Sequence, residues 1–227
     1  MSSLFPLDAS LLTAASPWGI PVTVLSETTS SNDELLRLGE LGEQSTPTGT
    51  LLFAERQTAG RGQFQRLWAS SEPLGLWFSL LLRMEISDST IPALSSFAAV
   101  AIAETLAELG FTNMRIKPPN DLYLVGRKIA GILVETRTGR SPFAVVGIGL
   151  NVNQHTSDFP VEIQSLATSL AVASGCPVGR DLDRNEIAVV LLRSLGRNEH
   201  LLRTNTTALF AKWNGLLVNP GRSPIQK

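Results

Sequence analysis

The sequence is poor in cysteine, histidine and net charge, and each shortage excludes a class of protein. A single cysteine, Cys176, stands among 227 residues, so no disulfide can form within the chain. With only two histidines, a zinc centre built from cysteine and histidine is not expected. The formal net charge of −1 provides no overall field that would attract nucleic acid or an anionic membrane. Any site for an anion must therefore be a local concentration of arginine and lysine.

The sequence also lacks targeting and membrane signals. No apolar run approaches the length of a membrane span, and residues 1–12 lack the basic start and apolar core of a signal peptide. Hydrophobic residues make up 43% of the chain and charged residues 17%, which is an ordinary globular composition. These observations predict a cytoplasmic protein that has neither a membrane nor a nucleic-acid partner.

Apolar periodicity predicts an α+β fold. Strands are expected at 21–25, 50–54, 74–82, 113–117, 121–125, 128–136 and 144–152. Helices are expected at 30–41, 90–109 and 168–174, from 184 onward, and at 207–214. A tight turn at Gly126-Arg127 makes 121–136 a hairpin, so part of the sheet is antiparallel and a doubly wound fold is not expected. We expect a mixed, largely antiparallel central sheet flanked by helices.

Several boundaries follow from local signals. Ser30 or Ser31 is expected to cap the first helix, with Glu34 at the spacing of a capping box. Two glycines are expected to break the strand at 144–152. We expect one domain over 21–216, preceded by a lead-in segment over 1–20 that packs on its surface and followed by a C-terminal tail over 217–227.

The first motif that can carry chemistry is Gly60-Arg61-Gly62-Gln63, within a polar, glycine-bearing loop over 58–71. Glycine lets the backbone approach a ligand closely, and arginine can hold a carboxylate or phosphate with two parallel hydrogen bonds. Arg66 adds a second guanidinium, and Trp68 a flat apolar surface. The alternative is a surface hairpin whose glycines only satisfy turn geometry.

The second motif is Lys117-Pro118-Pro119-Asn120-Asp121. Two prolines stiffen the backbone after the lysine, which is easier to understand if the position of that cation is used. Asp121 is a candidate for a magnesium ion that arrives with substrate phosphates, or it simply begins the hairpin as a turn residue. The alternative for Lys117 is a solvated lysine at a strand end.

Further candidates are glycines inside strand patterns and polar residues beside them. Glycine in a strand marks a bulge or the close approach of a ligand or another backbone. The positions concerned are Gly131, Gly147 and Gly149, followed by Asn151. Ser30, Ser31 and Asn32 stand at a helix start, where capping explains them, although free N–H groups there also suit a polar binding rim.

Taken together, the segments 27–32, 54–71, 116–136 and 146–153 resemble the catalytic domain of biotin protein ligases. The resemblance covers roughly residues 22–215 and implies the class II aminoacyl-tRNA synthetase-like fold of biotin and lipoate ligases. It implies an enzyme that converts biotin and ATP to biotinyl-AMP and pyrophosphate, and then transfers biotin to a lysine of a carboxylase carrier domain. It also implies Mg²⁺ bound with ATP and a monomer or weak homodimer.

The resemblance assigns roles to particular residues. Lys117 and Arg61 are implied to be catalytic, and Asp121 to hold Mg²⁺ with ATP. The biotin-binding residues are implied to be Ser30, Ser31, Asn32, Gln57, Gly60, Arg61, Gly62, Gln63, Lys117, Gly131 and Gly147. The ATP-binding residues are implied to be Arg61, Arg66, Trp68, Asn120, Lys128, Gly149 and Asn151.

The sequence departs from the family pattern at several points. Pro118 replaces the usual tryptophan after the lysine, and Gln65 replaces the third glycine of the loop. Neither an N-terminal winged helix nor a C-terminal β-barrel is expected, so transcriptional repression is not expected either. Two alternatives stay open: a ligase for lipoate or another acid on the same scaffold, and a binding protein for biotin that does not transfer it.

Overall fold

The computed structural model describes residues 6–177 and 180–218. Its strands are β1 Thr23–Leu25, β2 Thr50–Ala54, β3 Gly75–Arg83, β4 Met114–Lys117, β5 Asp121–Leu124, β6 Arg127–Arg137 and β7 Phe143–Asn151. Its α-helices are α1 Ala9–Ala15, α2 Ser31–Gly39, α3 Thr90–Glu108, α4 Leu170–Ser174, α5 Arg184–Thr204 and α6 Thr206–Gly215. Short 3-10 turns lie at Gln63–Gln65, Thr156–Asp158 and Val161–Ile163.

The strands form one seven-stranded sheet in the order β1-β2-β3-β7-β6-β5-β4. Only β1 and β2 pair in parallel, and every other neighbouring pair is antiparallel. The predicted mixed, largely antiparallel sheet is confirmed. β7 runs without a break through its two glycines, so the expected interruption of this strand is wrong.

The β5–β6 hairpin turns at Val125-Gly126 rather than at Gly126-Arg127. Val125 has a φ of 49° and Gly126 a φ of 77°. Two central residues with positive φ match the twist of the flanking strands in a two-residue hairpin loop. The turn therefore falls one residue earlier than predicted, because the valine accepts the left-handed conformation.

One face of the sheet, called the closed face, is sealed by α3, α5 and α6. It takes alternate apolar residues from the strands, such as Leu80 of β3 and Val146 of β7, and these are fully buried in one core with α3. By length and composition α3 is apolar enough to cross a membrane, with a mean hydropathy of 1.5. The expectation that no apolar run has this length is therefore wrong. Most of α3 is buried inside the fold, as in the core helix of a globular domain.

The opposite face, called the open face, takes the other alternate residues of the same strands. Over β2, β3 and part of β7 it is covered by α2, whose Leu35 and Leu36 pack with Leu81, Phe143 and other apolar side chains. Towards β6 and β5 it carries glycines and polar residues instead. Among the described residues, the room on this face lies beyond the N-terminus of α2.

Helix α2 begins with a cap that places polar side chains at the edge of that room. The side chain of Ser30 is the N-cap and accepts a hydrogen bond from the backbone N–H of Asp33. The expected capping box does not form, because the N-cap is Ser30 and Glu34 lies four residues after it; Glu34 instead pairs with Arg37 at 2.6 Å. The hydrogen bond from Arg37 lowers the pKa of Glu34.

The residues around the predicted domain boundaries contact the same fold. In the lead-in segment, α1 packs on α5, and Leu7 and Leu12 lie in the core below α3. After α6, Leu217 and Val218 run beside β4, where the Val218 N–H donates to the Ile116 carbonyl at 3.0 Å. The rest of the predicted tail lies outside the described residues, so the boundaries at 20 and 216 stay predictions.

Candidate active site

A cavity of about 490 Å³ lies on the open face of the sheet. The two motifs separated by about fifty residues in the sequence both line it, since Arg61 and Lys117 face the same space. With the exception of Gly60, every predicted site residue lines this cavity. The structure therefore gathers the predicted residues at one place, whereas their individual roles stay predictions.

The loop over 58–71 forms one wall and is fastened at its base. The backbone N–H of Trp68 donates to the Gly60 carbonyl at 2.9 Å, and the backbone N–H of Gly62 donates to the Arg66 carbonyl at 2.7 Å. At the tip, the side chains of Phe64 and Leu67 are 85% and 86% exposed. The loop is a small hairpin that holds two apolar side chains at the mouth of the cavity.

Trp68 explains two of the predicted glycines. A Cβ on Gly131 would lie 2.8 Å from the indole, and one on Gly149 would lie 2.6 Å from it. Real side-chain contacts do not come this close, so only glycine leaves room for the tryptophan. These strand glycines admit a side chain of the protein, where sequence reasoning had considered a bulge or the approach of a ligand.

Arg61 is held by two carboxylates. Its guanidinium forms an ion pair with Asp33 at the start of α2 and lies 3.4 Å from a carboxylate oxygen of Glu135 on β6. The carboxylate or phosphate that sequence reasoning assigned to Arg61 would have to compete with these partners. The cation is positioned before any ligand anion reaches it.

Lys117 and Lys128 add two further positive charges to the cavity wall. Among the described residues, Lys117 forms no salt bridge, and its ammonium lies 5.4 Å from the centre of the Tyr123 ring. Lys128 pairs with Asp121 at 2.6 Å and lies 5.2 Å from the Trp68 ring. Lys117 is therefore the cation of this pair with its charge available to an incoming anion.

Asp121, the predicted partner of a Mg²⁺ ion that arrives with ATP, already has a cationic neighbour. Its carboxylate is engaged by Lys128. Within 6–177 and 180–218, no three histidine, cysteine, aspartate or glutamate side chains cluster as metal ligands. The residues present do not fit a protein-held Mg²⁺, although a single carboxylate suits an ion that is carried mainly by phosphates.

The floor of the cavity is a buried hydrogen-bond network around Gln57. The Gln57 Oε1 accepts from the Ser31 N–H at 2.8 Å and lies 3.1 Å from the Ser31 hydroxyl, while Nε2 donates to Ser70 at 3.1 Å. An amide nitrogen has two protons, so Gln57 keeps one N–H for a ligand. It can offer a ligand carbonyl a donor.

Asn32, at the first turn of α2, is held on three sides. Its Nδ2 donates to the Leu133 carbonyl at 3.2 Å and to Glu135 at 2.9 Å. Its Oδ1 accepts from Ser79 at 2.6 Å. Both N–H groups of this amide are used, so only an oxygen lone pair is left for a ligand N–H.

Two predicted nucleotide contacts are engaged with the backbone. The Asn120 amide donates to the Ile132 carbonyl at 2.8 Å, and the Asn151 amide donates to the Thr168 carbonyl at 2.9 Å. Each side chain fastens one wall of the cavity to a neighbouring strand or loop. The structure gives them a structural task in addition to the predicted contact.

Sequence reasoning missed several residues of the cavity. Apolar and aromatic lining residues that it did not assign include Phe78, Tyr123, Leu133, Phe159, Ile163, Leu166 and Ala167. Tyr123 and Leu133 could have been found, because they alternate with buried residues of β5 and β6. The stretch over 159–167 has no period and contains only a short 3-10 turn, so nothing in its sequence indicated a wall.

Comparison with known proteins identifies the family. The sequence model of the biotin/lipoate A/B protein ligase family matches residues 24–153, which is more than half of the chain. The chain therefore belongs to the biotin/lipoate A/B protein ligase family.

Relatives and a solved structure support the same conclusion. The chain is 43% identical to the bifunctional ligase/repressor BirA of Bacillus subtilis (strain 168) over 143 residues, which are 62% of this chain and 44% of the relative. It is 36% identical to the biotin–(acetyl-CoA-carboxylase) ligase of Mycobacterium tuberculosis over 192 residues, which are 82% of this chain and 66% of the relative. The chain thus spans less than half the length of the Bacillus relative.

The fold is similar to that of a biotin protein ligase from Aquifex aeolicus, solved in complex with biotin and ATP. The TM-score is 0.72 at 31% identity, and the alignment covers 87% of this chain and 78% of the other. The α+β fold expected from the resemblance is confirmed.

Proposed function

We propose that this protein is a biotin protein ligase that activates biotin with ATP and transfers it to a lysine of a carboxylase carrier domain. The observation that carries the proposal is the convergence of Arg61 and Lys117, from distant segments, on one cavity with a polar floor. The names of the relatives and the biotin and ATP of the Aquifex structure support the choice of substrates.

The first step joins two anions. An oxygen of the biotin carboxylate forms a bond to the α-phosphorus of ATP, and the bond from that phosphorus to the pyrophosphate oxygen breaks. Fixed cations aimed at the two meeting anions lower the barrier without a covalent enzyme intermediate. Lys117 is proposed to meet the carboxylate and phosphate, and Arg61, Arg66 and Lys128 to meet the nucleotide.

The floor network is proposed to recognise the ureido ring of biotin. Gln57 offers an N–H to the ring carbonyl, and Asn32 offers an oxygen to a ring N–H. A polar ligand ring that fits these groups leaves none of them unpaired. An unpaired buried polar group costs about 1–3 kcal/mol, which is how such a pocket refuses other acids.

In the second step the amine of an acceptor lysine attacks the acyl carbon of biotinyl-AMP. The new amide bond forms, AMP leaves, and the amine loses a proton. The acceptor is proposed to be the carrier domain of a carboxylase, by analogy with the relatives' names. Mg²⁺ is proposed only as the companion of ATP, and no step depends on it. We further propose a cytoplasmic monomer or weak homodimer that uses neither nucleic acid nor a membrane.

The proposal is tested by measuring pyrophosphate release with ATP and biotin, and then the mass of a purified biotin carboxyl-carrier domain after incubation. We expect ATP-dependent pyrophosphate release and a carrier heavier by one biotinyl group. Biotin binding without pyrophosphate release would instead indicate a non-catalytic biotin-binding protein.

A second candidate is a lipoate ligase, because the family that matches residues 24–153 includes both biotin and lipoate ligases. Lipoate has an apolar dithiolane ring, which cannot satisfy the amides of Gln57 and Asn32. We expect kcat/KM for lipoate to be lower by at least about hundredfold, as for a site whose buried polar groups are left unpaired. Equal turnover of the two acids would remove the preference for biotin.

A further inference from the structure

Ser79 is a buried hydroxyl that neither the motifs nor the lining of the cavity include. It lies in the middle of β3, between Phe78 and Leu80, and is 0% exposed. Its side chain lies on the open face, and the other residues in the middle of this strand are apolar. A buried hydroxyl costs stability unless it is hydrogen-bonded, so its partners show what it does.

The Ser79 hydroxyl contacts two residues of the cavity floor. Its Oγ lies 2.8 Å from the Ser31 Oγ and 2.6 Å from the Asn32 Oδ1. A hydroxyl has one proton, so Ser79 cannot donate to both. An amide oxygen only accepts, so the Ser79 proton goes to Asn32. The single Ser31 proton then goes either to Ser79 or to the Gln57 Oε1, which lies 3.1 Å away. Ser79 thus fixes which end of the Asn32 amide is the oxygen.

The neighbouring strand completes the seat for Asn32. Ser79 is paired in register with Gly147 of β7. A Cβ on Gly147 would collide with the Asn32 amide, so this glycine makes room for it. Glu135 and the Leu133 carbonyl hold the other end of the same amide. The seat is built from three strands and leaves the amide a single orientation.

We propose that Ser79 is a positioning residue that makes the cavity selective for a ligand ring bearing both a carbonyl and an N–H. It acts through Ser31 and Asn32 and does not touch the ligand. The inference rests on the proposed function, since biotin is the ring-bearing acid that the experiment uses. Without the Ser79 hydroxyl, the Asn32 oxygen loses its donor and the Ser31 side chain loses a partner. The floor of the cavity then no longer presents its hydrogen-bond donors and acceptors in fixed positions.

The test compares Ser79→Ala with Ser194→Ala. Ser194 is also fully buried and hydrogen-bonded, to Glu104 at 3.2 Å, but it lies on α5 behind the closed face. Calorimetry gives the Kd for biotin, and steady-state pyrophosphate release gives kcat and the KM values for biotin and ATP. For Ser79→Ala we expect Kd and KM for biotin to rise about tenfold, while kcat and the KM for ATP stay within about twofold.

Controls separate this inference from general damage and from the proposed function. Ser194→Ala is expected to bind biotin like the wild type. If Ser79→Ala does not fold, Ser79→Cys, which keeps a weak donor, serves instead and is expected to raise the Kd by about threefold or more. The inference is overturned if biotin affinity is unchanged, or if KM for ATP rises equally. If the wild-type protein fails to bind biotin, the proposed function itself is overturned, and this result is obtained without any Ser79 variant.

Discussion

The two faces of the sheet are built from the same strands and differ in almost everything else. On β7, Val146 and Leu150 point into a sealed core, whereas Gly147 and Gly149 lie between them on the face that holds the cavity. Successive residues of a strand point to opposite sides. Residues that stabilise the core and residues that line the cavity therefore alternate along the same strand and do not belong to separate segments.

The difference between the faces predicts different consequences for mutations. A change on the closed face removes apolar contacts that hold α3 and α5 to the sheet, so it should cost stability. A change on the open face disturbs side chains that are already paired with one another around the cavity, so it should cost binding or turnover. The four experiments below test this separation, beginning with the largest expected effect.

Leu80→Ala should affect the closed face alone, and so lower stability without changing biotin affinity. Leu80 is fully buried in the core beneath α3, and truncating such a leucine costs about 2–5 kcal/mol through lost contacts and a residual cavity. Urea unfolding should show this loss, while the Kd of the folded protein for biotin stays near that of the wild type. A large loss of biotin affinity in folded protein would show that the two faces are coupled.

Lys117→Ala should strike the open face alone. A hydrogen bond to a charged group contributes about 1.5–3 kcal/mol, so adenylate formation should fall by about a hundredfold with little change in unfolding free energy. The measurement is pyrophosphate release under saturating biotin and ATP. Arg115→Ala is the control, because Arg115 is an exposed cation on the same strand that does not line the cavity. Equal losses in the two variants would remove Lys117 from the mechanism.

Gly147→Ala tests the open face with the smallest possible change. The added methyl would meet the Asn32 amide, which must then leave its seat. We expect biotin to bind about tenfold more weakly by calorimetry, a free-energy change of about 1.4 kcal/mol. Gly215→Ala adds the same methyl where no atom lies within 4 Å, and it should bind biotin normally.

Glu104→Gln tests a polar link among the helices of the closed face. Burial raises the pKa of Glu104, but hydrogen bonds from Lys212 and Asn198 outweigh it, so the pKa lies below its ordinary value of 4.5. Folding that lowers a carboxyl pKa adds stability above the unfolded-state pKa, and this stability is lost as the pH falls through the folded-state pKa. The variant should therefore lose less stability than the wild type on acidification below about pH 4.5.

The expected size of this effect is below about 1 kcal/mol, because the ion pair is partly exposed. Urea unfolding at several pH values between 3 and 7 measures it, with biotin affinity at pH 7 as the readout for the open face. Parallel stability curves for the two proteins would show that Glu104 does not contribute.

The sequence predicted most elements of the fold because their signals are local. The alternation of β3 and the hairpin over 121–136 depend on period and turn residues, and both appear with boundaries shifted by one or two residues. For the cap of α2 the sequence offered both Ser30 and Ser31, because the two residues have the same chemistry. The fold uses Ser30.

The candidate site was predicted less completely, because a sequence shows which residue types are present but not their partners. Nothing local indicates that Arg61 pairs with Asp33 and Glu135, or that Asp121 is engaged by Lys128. These contacts depend on the register of β5 and β6 and on where α2 begins. For the same reason Gly131 and Gly149 were candidate ligand contacts, while their bare α-carbons accommodate Trp68.

The anchoring of Trp68 limits how far its loop can travel. Gly60 and Trp68 are joined by a backbone hydrogen bond, and Arg61 bridges Leu67 across the hairpin. Only the residues between these points can swing, and a chain spans at most about 3.5 Å per residue. The tip that carries Phe64 can therefore cover only the near end of a bound molecule and cannot reach across the whole cavity. The far end of a long ligand must therefore be bound by the residues of the strands that line the cavity.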